Sequence, residues 1–386
     1  MKIAMLGAKS VPAIGGIAHY IEEVGSRLAA RGHEVTVYCR PHFLEGDADD
    51  YRGMERLVTR GLRGKHLDAT THTLTSAFHA MRSGYDIYHI HGAAPGMIAP
   101  LMRLRPRGYS VITLHGLDWT GSKWGPLAAK MMHTAARLGI GSADSVTAVS
   151  HWVKEECRGR LGCDATFIPT GVNFQDPVPA RELATLGLAP KEYLFCASRL
   201  VKEKGVHYLV DAFRDLSTDK MLVIAGNCPY DDPYVRSLQD RAGDNVLFAG
   251  YVKGRLLAEL YSNAYVYVQP SESEGLPISV LEALSYGTCV LASDIPQNLE
   301  ALGRCGYTFA SRDAAALCER LQYLLANPSL VASQFDRARA YIRRERNWDL
   351  TTDRFEELYS KLLLTGRRLR LISQNVWASA LPPPAW

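Results

Sequence analysis

The feature that most restricts the fold of this chain is a rhythm. Short β-rich apolar runs alternate with amphipathic stretches of about ten to fifteen residues. In the first half the runs are "KIAMLG", "HEVTVYCR", "YDIYHIHG", "SVITLHG" and "SVTAVS", with "IAHYIEEVGSRLAARGH" between the first two. Such alternation predicts parallel strands covered by crossover helices, an α/β architecture. Right-handed crossovers place ligands at the carboxyl ends of the strands, where the strand order reverses. Residues 165–190 break the rhythm with four prolines and three polar turn clusters, and read as a linker. The pattern then restarts with "EYLFCASRL", "KMLVIAG", "NVLFAGYV", "YVYVQPS" and "TCVLAS". Two Rossmann-like domains are expected, 1–178 and 179–345, their parallel sheets facing across an interdomain cleft. Residues 346–386 are expected to form a terminal helix crossing back to the first domain, with Phe355, Leu358 and Leu362 at helical spacing, followed by a basic and aromatic tail.

Composition excludes several classes. At 386 residues, 47% hydrophobic and 22% charged, the chain is ordinary globular material. Its longest apolar runs fall far short of the roughly 18 residues of a membrane span. No signal-peptide pattern opens the sequence, so a cytoplasmic location is expected. The eight cysteines lack CxxC spacing and read as reduced, structural thiols. Residues 1–178 hold 20 Lys and Arg against 16 Asp and Glu, the whole of the excess, and eleven of the twelve histidines. That basic half either faces an anionic membrane surface or a phosphorylated acceptor, or is a solvated face. In the tail, Arg367, Arg368 and Arg370 beside Leu369, Leu371, Ile372 and Trp377 read as an interfacial segment or as a frayed end.

Chemistry concentrates after the strands of the second half. "SESEGLPISVLEALSYG" sets Glu274 in a turn just past a strand, Pro277 at the first helical position and Gly287 beyond the last turn. The N–H groups around Gly275, Leu276 and Ile278 open a helix and favour a phosphate. Glu282 lies one turn deeper, beside the same anion site. Carboxylates accept paired hydrogen bonds from vicinal diols, so a sugar nucleotide fits: hexose hydroxyls at Glu274, diphosphate at the helix, ribose at Glu282. "ASRLVKEKG" adds Arg199 and Lys204, a fork and a point charge for the diphosphate. After the first strand, Gly15 and Gly16 open a helix and permit close backbone approach. The spacing is not GxGxxG and no acidic residue closes the second strand, so the dinucleotide fingerprint fails. His89 and His91 share one face of a strand and His115 ends the next. A zinc face is one reading, a hydrogen bond from His115 to a sugar hydroxyl the better-placed one. Asp47 to Asp49 mimic a metal-binding DxD but sit in an acidic loop.

These motifs together resemble the retaining glycosyltransferases of the GT-B fold, family 4. "SESEGLPISVLEALSYG" is similar to that family's EX7E motif and "ASRLVKEKG" to its diphosphate loop. Gly15-Gly16 resembles its glycine pair, and "DIYHIHG", "TLHG", "VTAVS" and "IPTGVN" follow in order, across roughly residues 1–365. Asn173 departs from the pattern, standing where an aspartate is common. The resemblance implies retaining transfer from a nucleoside-diphosphate sugar with no metal and no other cofactor. It implies Glu274 on the distal sugar hydroxyls, Glu282 on the ribose, Arg199 and Lys204 on the diphosphate, Gly16 beside phosphate or sugar, and His115 near the anomeric carbon. "HGLDWTGSKWG" is similar to a stretch of bacterial enzymes that build surface polysaccharides on lipid carriers. The expected acceptor is a lipid-linked saccharide or polysaccharide, with no nucleic-acid partner. Two alternatives stay open, a sugar-nucleotide epimerase of the same architecture and a non-catalytic sugar-nucleotide-binding protein.

Overall fold

A computed structural model describes residues 1–12, 15–44, 49–62, 67–105, 107–116, 126–227 and 232–379. Asp47, Ala48 and Cys228, most of "HGLDWTGSKWG", the side chains of 366–379 and residues 380–386 lie outside what is described, and with them the tail reading. The chain divides into two units, Met1–Pro169 with Asp349–Trp386, and Thr170–Trp348.

The first unit is built on β1 (Lys2–Leu6), β2 (Glu34–Cys39), β3 (Asp50–Tyr51), β4 (Met54–Val58), β5 (Ile87–His91), β6 (Tyr109–Leu114), β7 (Ser145–Ala148) and β8 (Thr166–Phe167). Their order is β3-β4-β2-β1-β5-β6-β7-β8. Every neighbouring pair is parallel except β3 and β4, a short hairpin that the sequence rhythm did not reveal. β5 is buried at all five positions and β6 at five of six, as expected of parallel strands covered on both faces. From β1 the chain builds outward through β2 and β4, then returns to β5 on the other side of β1. The order therefore reverses between β1 and β5. Gly7 follows β1 with φ +100°, and a Cβ there would stand 2.6 Å from the carbonyl oxygen of His91, so only glycine lets the two strand ends converge.

The terminal helix Trp348–Ser379 belongs to this unit from Asp349 onward. Phe355 and Tyr359 are fully buried, and Arg31 pairs with both Asp353 and Glu356 at 2.6 Å. Tyr359 Oη hydrogen-bonds His89 Nδ1 at 2.7 Å, and His89 Nε2 bonds Thr113 Oγ1 at 2.6 Å.

The second unit carries β9 (Tyr193–Ala197), β10 (Met221–Ala225), β11 (Val246–Gly250), β12 (Val266–Gln269), β13 (Val290–Ser293) and β14 (Tyr307–Phe309). They lie in the order β11-β10-β9-β12-β13-β14, all parallel. The helix Val206–Arg214 buries Val206, Leu209, Val210 and Phe213, a single 3.6-period face, into the core. Here the reversal falls between β9 and β12.

The proline-rich stretch is not a free linker. The unit boundaries fall at 169/170 and 348/349, rather than at the expected 178/179 and 345/346. Residues 170–183 are strapped onto the second unit by contacts that no periodicity announces. Val172 pairs with Asn347, and Phe174 sits under Arg339 and Arg343 at 4.3 and 4.2 Å. The fully buried Glu259 carboxylate accepts the N–H groups of Arg181 and Glu182, both at 2.7 Å, and of Leu183 at 3.3 Å. Burial alone would raise its pKa; those N–H groups and Arg255 hold it below the usual carboxylate range. The seven described cysteines are free, and burial pushes Cys157, Cys196 and Cys289 up to about 12, which leaves them poor nucleophiles.

The core histidines of the first unit make its stability pH-dependent. Burial lowers His72 to about 4, His89 to about 3 and His91 well below the ordinary 6.5. Below that value the unfolded chain takes up protons that the folded one refuses. Stability is therefore lost as pH falls from about 6.5 toward 4, by up to about 1.4 kcal/mol per pH unit for each ring. Urea midpoints should drop steeply between about pH 7 and about pH 5. An unchanged midpoint would show that these rings are not held neutral by the fold.

Candidate functional site

Both loops that carry the expected donor residues leave the second sheet at its reversal point. β9 runs into the loop holding Arg199 and Lys204; β12 runs into the loop holding Glu274. The two strands pair directly, Leu194 with Val266 and Phe195 with Tyr267, so their loops emerge side by side. Glu272 N donates to Glu203 O at 2.9 Å and ties loop to loop. Gly205 closes the first loop with φ +65°. A Cβ there would lie 2.0 Å from the carbonyl oxygen of Pro270, so a side chain would force the loops apart.

This approach brings Lys204 Nζ to 2.5 Å from Glu274 Oε2. The pair is largely buried, the two side chains 16% and 7% exposed, so neither charge could stand there without the other. Glu274 Oε1 accepts from Ser271 Oγ at 2.6 Å and from Gln269 Nε2 at 2.9 Å. Gln269 is in turn fixed on its oxygen by Tyr267 Oη at 2.7 Å and Ser279 Oγ at 3.0 Å. Three donors thus occupy three of roughly four lone-pair positions of the carboxylate. One position, on Oε2, has no donor among the described residues.

The helix that follows, Ile278–Ser285, starts one residue later than expected. Pro277, with ψ 98°, is its cap rather than its first residue, and the first intrahelical bond is Val280 N to Pro277 O at 3.1 Å. Gly275, half-buried, and Leu276, buried, form the turn into it, and Ile278 opens it. Gly287, with φ +81°, ends it as expected. Glu282, half-buried one turn in, accepts from Tyr261 Oη at 2.9 Å. Arg199 is not drawn into the network. Its side chain is 63% exposed, and its guanidinium stands 3.8 Å from Glu203. Lys204, Glu274 and Gln269 therefore form one built constellation, with Arg199 and Glu282 at its sides.

Gln269, Ser271, Ser279, Tyr261 and Tyr267 were missed in the sequence. The signal was present for three of them: in "YVYVQPS", Tyr267, Gln269 and Ser271 recur at the period of two that puts residues on one face of a strand, and two are polar at the end of an apolar run.

In the first unit, Gly15 has φ +96° and nothing within 4 Å of where a side chain would begin. With Gly16, also exposed, it opens the helix Gly16–Ala30, whose first turn carries no acidic residue. His115, half-buried at the end of β6, places Nε2 3.2 Å from His91 Nδ1 and packs edge-on against Tyr20 at 4.7 Å. Burial lowers it to about 3, so it is a neutral hydrogen-bonding ring. Among the described residues His89, His91 and His115 do not group as metal ligands. Both nitrogens of His89 are engaged by Tyr359 and Thr113, and among the described residues no group of three or more His, Cys, Asp or Glu side chains could hold a metal.

Two family models match this chain, one in each half. The model described as "Glycosyltransferase Family 4" matches residues 14–176, and "Glycosyl transferases group 1" matches residues 184–348. The chain is 25% identical to the phosphatidyl-myo-inositol mannosyltransferase of Mycobacterium leprae, over 97% of its own length and 100% of that protein's. It is 31% identical to TuaC of Bacillus subtilis, named as a teichuronic acid biosynthesis glycosyltransferase, in a match spanning 54% of this chain and 53% of that one. The sucrose-phosphate synthase structure from Thermosynechococcus elongatus superposes with a TM-score of 0.82 at 23% identity, covering 95% of this chain and 100% of that one. On this GT-B architecture of two parallel-sheet units, with one glycosyltransferase model matched to each half, the chain belongs to the glycosyltransferases, family 4 and group 1.

Proposed function

We propose that this glycosyltransferase moves a hexose from a nucleoside-diphosphate sugar to a lipid-linked or cell-surface polysaccharide acceptor, with the anomeric configuration retained and without a metal. The observation that carries this reading is the buried Lys204–Glu274 pair at the sheet's reversal point, with an unused carboxylate position beside a helix N-terminus. In the donor complex Glu274 orients the distal sugar hydroxyls through that position. Lys204 and the exposed Arg199 meet the diphosphate, assisted by the N–H groups at Gly275, Leu276 and Ile278. Two cations and a helix N-terminus stabilise the charge that develops on the departing diphosphate, the electrostatic contribution that usually dominates such reactions. Glu282, already held by Tyr261, binds the ribose. Gly15 and Gly16 admit phosphate or sugar to the backbone, and His115 hydrogen-bonds a sugar hydroxyl near the anomeric carbon. In this reading Glu274 and Glu282 are engaged by sugar and ribose hydroxyls and neither is the covalent nucleophile. The resemblance to the family implies a front-face reaction, in which the acceptor attacks on the face the leaving phosphate vacates and a phosphate oxygen takes its proton.

The acceptor class is supported by the relatives, one named for phosphatidyl-myo-inositol and one for teichuronic acid biosynthesis. We place the protein in the cytoplasm, peripheral on the membrane's cytoplasmic face. The positive excess of residues 1–178 supports this reading, and no described helix is long and apolar enough to cross a membrane.

Nucleotide release from UDP-, GDP- and dTDP-sugars, with and without a membrane lipid extract, tests the assignment. Extract-dependent release from one donor, unaffected by EDTA, with the product linkage retained by NMR, is expected. Conversion of a sugar nucleotide without acceptor would replace the transferase by an epimerase. Glu274→Gln should lower kcat/KM by about a hundredfold or more in protein still folded at the assay temperature, and should also lower the melting temperature, because it leaves the Lys204 charge without its partner. Gln269→Met should lower kcat about tenfold with a smaller change in donor KM, because it loosens Glu274 without removing it; equal losses in both parameters would count against a positioning role.

A further inference from the structure

Two histidine rings at the reversal of the first sheet meet nitrogen to nitrogen. His91 ends β5 and His115 follows β6, and His91 Nδ1 lies 3.2 Å from His115 Nε2. Burial holds both rings neutral, so each carries one N–H and one lone pair. A contact of that length between two ring nitrogens holds one proton, which belongs to one ring or to the other. The surroundings of His91 decide which. Its side chain is fully buried, and its Nε2 has no hydrogen-bond partner among the described residues. His89, 4.0 Å away ring to ring, is engaged at both nitrogens by Tyr359 and Thr113 and offers no alternative. If His115 Nε2 were the donor, the proton of His91 would sit on Nε2, a buried N–H with nothing to receive it. With His91 Nδ1 as the donor, Nε2 is a bare lone pair. A buried acceptor without a partner is tolerated more often than a buried N–H without one, so the second arrangement is the better satisfied. His115 then accepts at Nε2 and carries its own proton on Nδ1. His115 is half-buried; its Nδ1 is bonded by no described residue and is not among the side-chain atoms closed to solvent.

We propose that His91 is a positioning residue that fixes His115 in the Nδ1–H tautomer, so that His115 meets the sugar as a hydrogen-bond donor to an oxygen and not as an acceptor. The tautomer stands on the geometry of the two rings; its use on a sugar oxygen rests on the transferase reading. No proton is transferred. A ring held in one tautomer presents a fixed polarity to its ligand, whereas a free imidazole would divide between two.

Heteronuclear NMR of the histidine ring nitrogens, on the full chain without substrate, tests the tautomer directly. The signals are identified by their loss in His115→Gln and in His91→Leu. In wild type both rings are expected to carry the proton on Nδ1 and to be bare at Nε2. A proton on His115 Nε2 would overturn the proposal. In His91→Leu, His115 is expected to shift toward the Nε2–H form that a free neutral imidazole prefers. A tautomer that stays in place while only the melting temperature falls would show that His91 is merely structural, and overturns its positioning role. If melting shows that His91→Leu does not fold, the wild-type spectrum decides alone. Turnover is scored separately. His91→Leu should lower kcat about tenfold, with a smaller change in donor KM, as a misdirected hydrogen bond implies. His91→Asn, whose amide N–H can replace the one on Nδ1, should lose less. An unaltered kcat beside a shifted tautomer would remove the sugar contact. Absence of turnover from every donor would count against the transferase reading and leave the tautomer result standing.

Discussion

A carboxylate buried against an ammonium is the interaction on which the candidate site depends. Glu274 and Lys204 come from loops seventy residues apart in sequence, and each would be a costly buried charge alone. Their meeting requires β9 and β12 to be neighbours, Gly205 to leave room for Pro270, and Gln269 to turn its amide group toward the carboxylate. A parallel sheet whose order reverses supplies the first condition without further design, because the two strands that flank the reversal both direct their following loops to one edge. The rest is local chemistry on that frame.

The two units share this frame and use it differently. In the second, the reversal carries the paired charges of Lys204 and Glu274, and the polar network behind them is joined bond to bond from Tyr267 to Glu274. Such a network fixes a side chain more firmly than any one bond, since moving Glu274 would strand several buried partners at once. In the first, the strand ends at the reversal hold neutral histidines packed against Tyr20, and the terminal helix completes their surroundings through Phe355 and Tyr359. Neutral rings bind by hydrogen bond and shape and add no charge of their own.

Much of this was legible in the sequence because period and position carry it. The strands around both reversals, the glycine ending the Ile278–Ser285 helix, and the placing of Arg199, Lys204, Glu274 and Glu282 after strands all follow from runs of apolar residues and their punctuation. What escaped depends on contacts distant in sequence. Residues 170–183 read as a linker because prolines mark a break in rhythm; nothing local tells that Glu259 will accept three of their N–H groups or that Arg339 and Arg343 will clasp Phe174. The β3–β4 hairpin was too short and polar to stand out. Pro277 was placed one residue too deep because a missing N–H suits both the cap and the first turn, and only its ψ of 98° decides between them.

The same reasoning explains why Gln269 escaped and Glu274 did not. A carboxylate in a turn after a strand is conspicuous, since its charge has no place in an apolar core. A glutamine closing an apolar strand reads as the strand's polar end, and its value appears only once four partners are found around it. Positioning groups of this kind are neutral, buried and short in reach, the properties that let them satisfy a network without adding a charge that would itself need pairing. A cation at position 269 would compete with Lys204 for Glu274, and an anion there would repel the carboxylate out of the pair. Neutrality at Gln269 is thus what lets it hold Glu274 without disturbing Lys204.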